Sequence, residues 1–301
     1  MRILLIDTNN LACRAFYATY RPGVPVQSHG DIATNAISKW SSMLDTLIDQ
    51  AEPDRVIFGL DCGSDYRRSF FPAYKATRDE KPKGLRQQLP IIADIVRHAG
   101  LEFVAVDGEE CDDALMTLAA MARGRTSEVF IATNDKNYSQ IVGGNIFLLE
   151  PNGGQWTRVD AGDVAREYGV PPADFAAYLA MIGDDTDNIP GIEGIGPANA
   201  VRLLGNCGGT ENLAMRIAAR TKWAPERATD ELALNLKLTT YRRIPELTVR
   251  RGTEPDAIFE RLQQLCCMQA LRTWKSLVGR FGPTPISVVV PVEQTELALT
   301  G

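Results

Sequence analysis

Residues 3–7 read ILLID, an apolar run that stops on an acid, and four more short apolar runs follow at Val56 to Leu60, Phe103 to Val106, Val129 to Ala132 and Ile146 to Leu149. Runs this short and continuous read as buried strands. Helical phrases lie between most of them, over Ile32 to Ile48, Leu85 to His98 and Asp113 to Ala122. Strand alternating with helix predicts an α/β fold built on a doubly wound, mostly parallel sheet. In such sheets ligands bind beyond the carboxyl ends of the strands, so the residues at each exit carry the functional information.

Those exits are acidic. Asp7 and Asp61 follow the first and second runs, Glu110, Asp112 and Asp113 the third, and Asp135 the fourth; Asp184 and Asp187 bring the set to eight carboxylates. Any single one reads as a helix cap, and Asp112 or Asp113 suits the start of the helix that follows. Eight gathered at one sheet edge repel one another unless cations neutralise them. His29 and His98 are the only histidines, and the six cysteines show no CxxC spacing. Neither a zinc site nor a disulfide framework fits, so hard oxygen donors select Mg²⁺ or Mn²⁺.

The chain of 301 residues is long enough for one large domain with a smaller appendage. A net charge of -6 and a pI near 5.2 argue against a general polyanion binder. The apolar start is too short for a signal or membrane segment, and with reduced thiols expected, the reading is cytoplasmic. Local charge differs from the average. Between Arg67 and Arg86 lie seven basic residues (Arg67, Arg68, Lys75, Arg78, Lys81, Lys83 and Arg86) against Asp79 and Glu80, with Phe70, Phe71 and Tyr74 interleaved. Basic side chains neutralise phosphates and aromatics stack on splayed bases, the composition of a single-strand track.

Residues 183–204 read GDDTDNIPGIEGIGPANAVRLL. Asp184 and Asp187, three apart, would point the same way on one turn of helix. Gly191, Gly194 and Gly196 permit close approach of the backbone to a ligand, and Pro197 suits the first position of a helix. A helix start behind glycines binds phosphate. The GIEGIG spacing fails as a dinucleotide fingerprint because a helical phrase, Pro172 to Ile182, precedes it rather than a strand. Helix, glycine turn and helix make a hairpin able to grip a DNA backbone without reading sequence.

LLIDTNNLACRAF, GLDCGSDYRR with FPAYKATR, GEECDDAL, IATNDKNYSQI and the glycine turn occur in the order and spacing of the 5' nuclease, or flap endonuclease, family. This family includes stand-alone phage and bacterial 5'-3' exonucleases and the N-terminal nuclease domain of bacterial DNA polymerase I. The resemblance covers about Arg2 to Phe281, more weakly through NLKLTTYRRIPEL. It implies a PIN-like nuclease core with a helical arch and a C-terminal helix-hairpin-helix-type (H3TH) region. The chain is expected to divide into a nuclease core at 1–165 carrying a basic arch segment at 64–90, a helical DNA-binding region at 166–282 and a tail at 283–301.

On that resemblance, Asp7, Asp61, Glu110, Asp112, Asp113, Asp135, Asp184 and Asp187 match the metal-binding acids. Lys75 and Arg78 match the basic pair near the scissile phosphate and act in catalysis with Asp7 and Asp112. Tyr74 is a candidate stacking residue, and Arg67, Lys81 and Lys83 are further DNA contacts. Gly191, Gly194 and Gly196 match the turn that grips duplex DNA, often with a bound K⁺. The implied activity is metal-dependent, structure-selective 5'-3' exonuclease or flap endonuclease cleavage of DNA in replication or repair, leaving a 5'-phosphate and a 3'-hydroxyl. The partner is DNA with a free 5' end, flap or nick, or an RNA/DNA hybrid, and the length suggests a free-standing monomer without a polymerase. Two cations about 4 Å apart suit in-line displacement at phosphorus.

One position departs from the family. Its usual Asp-Lys-Asp reads Asp135-Lys136-Asn137 here, so Asn137 brings a carbonyl oxygen and no charge to the second metal site. A DNA-binding protein with a decayed site and a PIN-type ribonuclease are the rival readings. A haloacid-dehalogenase-type phosphatase needs a second Asp at position 9, which is Asn9. Trp223, Leu234, Leu236 and Leu238 are expected core residues of a helical region given to packing, and Ile286 to Val292 is expected either to add a strand or to dock on a partner.

Overall fold

A computed structural model gives the fold over residues 1–205, 209–282 and 289–291. The strands β1 (Arg2–Asp7), β2 (Arg55–Gly59), β3 (Glu102–Val104), β4 (Glu128–Ala132), β5 (Ile146–Asn152), β6 (Gln155–Val159) and β7 (Arg250–Arg251) form one sheet in the order β7-β3-β2-β1-β4-β5-β6. The five strands expected from the apolar runs are its parallel centre, and β6 and β7 close the edges in antiparallel sense. The order reverses between β1 and β4, where connections leave for opposite faces and open a crevice. Asp7 pairs with Gly59, and Ile6 with Ala132, so three strand ends lie level at that crevice.

Helices α1 (Thr8–Thr19), α2 (Asn35–Ala51), α3 (Asp65–Phe70), α4 (Lys83–His98), α5 (Cys111–Met121) and α6 (Ala161–Tyr168) precede residue 170. The second half contributes α7 (Pro172–Ile182), α8 (Pro197–Leu204), α9 (Thr210–Thr221), α10 (Pro225–Thr239), α11 (Pro255–Gln264) and α12 (Met268–Phe281). Two apolar clusters sandwich the sheet. One gathers α1, α2, α4, α11 and α12; the other gathers α5 and α7 with the helices stacked beyond them. Among the described residues no helix is long and apolar enough to cross a membrane.

Several elements differ from the sequence reading. Thr8–Thr19 is a helix left unassigned there: its buried Leu11, Ala12, Ala15 and Phe16 follow helical spacing, but small alanines weaken the pattern. The 64–90 segment is helical at both ends, in α3 and the start of α4, with a run of turns between them. The residues grouped as 166–282 split: α7 to α10 lie on one face, whereas α11 and α12 return to pack on α4 and α2 at the other. Trp274, absent from the expected core, is fully buried, with its ring 5.4 Å from Trp40 and 5.5 Å from Phe58. Leu238 is buried as expected, while Trp223, Leu234 and Leu236 are only partly so. Within the expected tail, Val289–Pro291 pairs antiparallel with Glu246–Thr248; residues 283–288 and 292–301 lie outside the described residues.

Asn235 on α10 is fully buried and donates from Nδ2 to the Ala180 carbonyl (3.0 Å) and the Gly191 carbonyl (2.9 Å). It ties α10 both to α7 and to the glycine turn. Because Trp274 fills the centre of one core, Trp274→Ala should cost about 3–5 kcal/mol in urea unfolding. A loss below about 1 kcal/mol would mean that α12 packs independently of the sheet.

Candidate metal centre

Asp7 ends β1 and caps α1, accepting from the Asn10 amide at 3.1 Å. Its other oxygen accepts from the Tyr138 hydroxyl at 3.1 Å and the Thr133 hydroxyl at 3.4 Å. Burial, then the nearby Asp135 and Asp61, raise its pKa from an ordinary 3.8 to about 7, against the lowering effect of the Asn10 and Tyr138 bonds. Asp135 leaves β4 and caps the 3-10 helix Lys136–Ile141 through the Asn137 amide at 2.9 Å. Its pKa is also raised, first by burial.

Asp7, Asp61, Glu110, Asp112 and Asp135 line one cleft of about 600 Å³, with Lys75, Arg78 and Lys81 facing them. Burial, then Asp113 and Glu110, push Asp112 well above the usual carboxylate range. One oxygen each from Glu110, Asp112 and Asp113 falls within 4.8 Å of the others. All-oxygen, anionic donors at this spacing suit a hard divalent ion. An adjoining cleft of about 690 Å³ shares Arg78 and Asp135 and adds Asn137, Asp184 and Asp187. Asp184 and Asp187 converge by a route other than one helical turn. Reciprocal backbone bonds of 2.9 Å between Asp184 and Ile189 close a tight turn that holds Asp187 inside it.

The protein's own cations already sit on these acids. Arg78 donates to Asp187 at 2.6 Å and to the Thr186 carbonyl at 3.1 Å. Lys75 is ion-paired with Glu110, and its backbone amide donates to the Asp187 carbonyl at 3.0 Å. Burial alone would lower the Lys75 pKa, but Glu110 and Asp187 outweigh it and the net shift is upward. Lys136, between two residues expected in the site, pairs with Asp184 at 3.0 Å.

Five residues expected at the site line neither cleft: Arg67, Asp113, Tyr74, Gly191 and Lys83. Arg67 is 3% exposed, too buried to reach DNA; it bonds Glu110 at 2.5 Å, Asp113 at 2.6 Å and the Leu238 carbonyl at 2.9 Å. Asp113, fully buried behind the cleft, accepts from Arg67 at 2.6 and 3.1 Å and from the Arg242 amide at 2.6 Å. Tyr74 is 2% exposed and donates its hydroxyl toward Glu110 and Asp187, which removes its ring as a stacking surface. Gly191 is buried, and a Cβ there would lie 2.6 Å from the Gly183 nitrogen, so packing rather than ligand approach requires glycine. Gly194 and Gly196 are exposed with open space above them. Lys83, exposed at the start of α4, does not line either cleft.

Tyr138 and Lys136 were missed, although both flank the Asp135 and Asn137 positions in sequence. Residues 2–169 match the 5'-3' exonuclease N-terminal resolvase-like domain, and residues 170–251 match the 5'-3' exonuclease C-terminal SAM fold. This chain belongs to the 5'-3' exonuclease family. Within that family, a thermostable DNA polymerase I of Thermus filiformis is 37% identical over 215 residues, 70% of this chain and 24% of that protein. The chain thus spans about a quarter of that relative's length. A 5'-3' exonuclease of Aquifex aeolicus is 29% identical over 237 residues, 78% of this chain and 80% of that one. The bacteriophage T5 D15 flap endonuclease, solved with DNA and metal ions, has the same fold, with a TM-score of 0.64 at 17% identity over 93% of this chain and 99% of that one.

The raised pKa of Asp7 sets a pH dependence. Since the folded value, about 7, lies above 3.8, folding favours the protonated carboxyl. Its contribution is whole below about pH 4 and is lost as the pH rises through 7. In EDTA, the stability of Asp7→Asn relative to wild type should therefore grow from pH 4 to pH 7, by up to about 4 kcal/mol in urea unfolding. A difference that stays flat or shrinks across that window would contradict the burial argument.

Proposed function

We propose that this nuclease hydrolyses DNA phosphodiester bonds at or near a free 5' end or flap, and that it depends on divalent metal. The observation that carries the reading is the meeting of Asp7, Asp61, Glu110, Asp112 and Asp135 in one cleft faced by Lys75 and Arg78. Asp7, Asp61, Glu110, Asp112 and Asp135 would hold one ion or more, with Asp184, Asp187 and Asn137 as the second half-site and Asp113 behind the first. Mg²⁺ or Mn²⁺ held there would supply positive charge against the phosphate and would lower the pKa of a nearby water.

The rest is done by the chain itself. Lys75 and Arg78 exchange carboxylate partners for phosphate oxygens and add positive charge where the transition state gathers negative charge. Arg67 keeps Glu110 and Asp113 aimed by bonding both, so the acids need little reorganisation when substrate arrives. The glycine turn at Gly194 and Gly196, ahead of α8, takes the duplex backbone through main-chain amides, a contact blind to base sequence. We assign catalysis to residues 1–165 together with the turn at Asp184 to Asp187, and duplex binding to α7 through α10.

A 5'-flapped duplex incubated with Mg²⁺, Mn²⁺ or EDTA tests this reading. Cleavage near the junction or from the 5' end should require metal, weaken steeply with salt and vanish in Asp112→Ala. Binding without cleavage under either metal would make the chain a DNA-binding protein, and faster cutting of RNA of the same shape would make it a ribonuclease. Asn137→Asp adds one charge to the second half-site, so half-saturating Mg²⁺ should fall roughly tenfold. Superimposable Mg²⁺ curves for the two proteins would remove Asn137 from metal binding.

A further inference from the structure

We propose that Tyr17 is a stacking platform for an unpaired nucleobase of the bound strand; the inference rests on the nuclease reading above and extends it. A strand led through an acidic cleft needs an aromatic surface to hold its bases, and Tyr74 and Tyr138 are both buried with their hydroxyls committed to carboxylates. Tyr17 is 54% exposed and lines both adjoining clefts, beside Arg78 and Lys81. Among the described residues it is the only aromatic in the set of exposed large apolar side chains.

Its position follows from α1. Asn10, Cys13, Arg14 and Tyr17 recur at helical spacing and line the first cleft together. Asp7 caps the same helix, so about 15 Å of helix rise separates the acid from the tyrosine. Side chains on a helix lean toward its N-terminus, which brings the ring back toward the acids. At about 3.4 Å per nucleotide, that span corresponds to four nucleotides at most.

The ring is also braced. Phe16 meets it edge to face at 5.5 Å and 87°, and Tyr20 at 6.3 Å and 81°. Phe16 is itself buried and stacked on Tyr20 at 5.0 Å. A ring braced by two neighbours and still 54% exposed loses little freedom on binding. Every base has a π-face, so the platform accepts any sequence, whereas bases inside a duplex are already covered on both faces. Tyr17 therefore selects for an unpaired strand, with the exposed Lys81 beside it for its phosphates.

The test uses flapped DNA carrying 2-aminopurine at each of the four nucleotides on the 5' side of the junction in turn, bound in EDTA so that no strand is cut. Wild type and Tyr17→Phe should quench the fluorescence at one or more positions, and Tyr17→Ala should not. Anisotropy should show Tyr17→Ala binding the flap about 5- to 150-fold more weakly. An abasic nucleotide at the quenched position should weaken wild type by a similar factor and leave Tyr17→Ala unchanged. Wild-type quenching retained in Tyr17→Ala, or an abasic penalty equal in both proteins, overturns the proposal. Wild type that quenches through Tyr17 yet cuts nothing with Mg²⁺ or Mn²⁺ leaves the platform standing and sinks the nuclease reading instead.

Discussion

Mutual repulsion among carboxylates at one edge of a sheet is the constraint on which the rest of this structure depends. Asp7, Glu110, Asp113, Asp184 and Asp187 are all buried within the same region. A buried carboxylate without a partner is costly, and several together are costlier. The chain meets that cost with its own cations: Arg67 between Glu110 and Asp113, Lys75 on Glu110, Arg78 on Asp187 and Lys136 on Asp184. Where pairing is incomplete the acids shift instead, as at Asp7, Asp112 and Asp135. A site arranged this way is poised for any ligand that brings positive charge to the carboxylates or phosphate to the basic side chains.

Those ion pairs also connect the two halves of the chain. Arg67, at the base of the basic segment, reaches the α10 carboxyl end at Leu238, and Arg242 just beyond it donates its amide to Asp113. The turn around Asp187 is fastened to the basic segment by Lys75, Arg78 and the Asn188 bond to the Ala73 carbonyl at 2.7 Å. Asn235 then fixes the glycine turn to the helices behind it. Charge compensation at the site and assembly of the second half of the molecule are thus one set of contacts. A side chain such as Arg67, basic and near DNA-like sequence signals, serves as an internal strut because two acids and two carbonyls surround it.

The sheet was legible because buried parallel strands need continuous apolar runs, and the five runs became its five central strands with ends displaced by three residues at most. The acids at the strand exits were legible for a related reason: strand ends meet at a crevice wherever strand order reverses, so local sequence already implies their meeting place. The edge strands were not. β7 has two residues, and its pairing with β3 joins positions some 150 residues apart, a contact that no local pattern announces.

The sequence by itself determined the α/β class, the family and the set of acids, since periodicity and motif order are properties of the chain taken one segment at a time. Only the tertiary structure decided which basic and aromatic side chains face outward. Arg67 and Tyr74 lie amid a segment that reads as a solvent-exposed track, yet both are buried, while Tyr17 in an unassigned helix stands exposed at the mouth of the cleft. Burial is a property of what packs against a residue, and for Arg67 and Tyr74 the packing partners come from distant parts of the chain. The same reason moves α11 and α12 from the helical region that precedes them to the opposite face of the sheet, where Trp274 completes the core around Trp40 and Phe58.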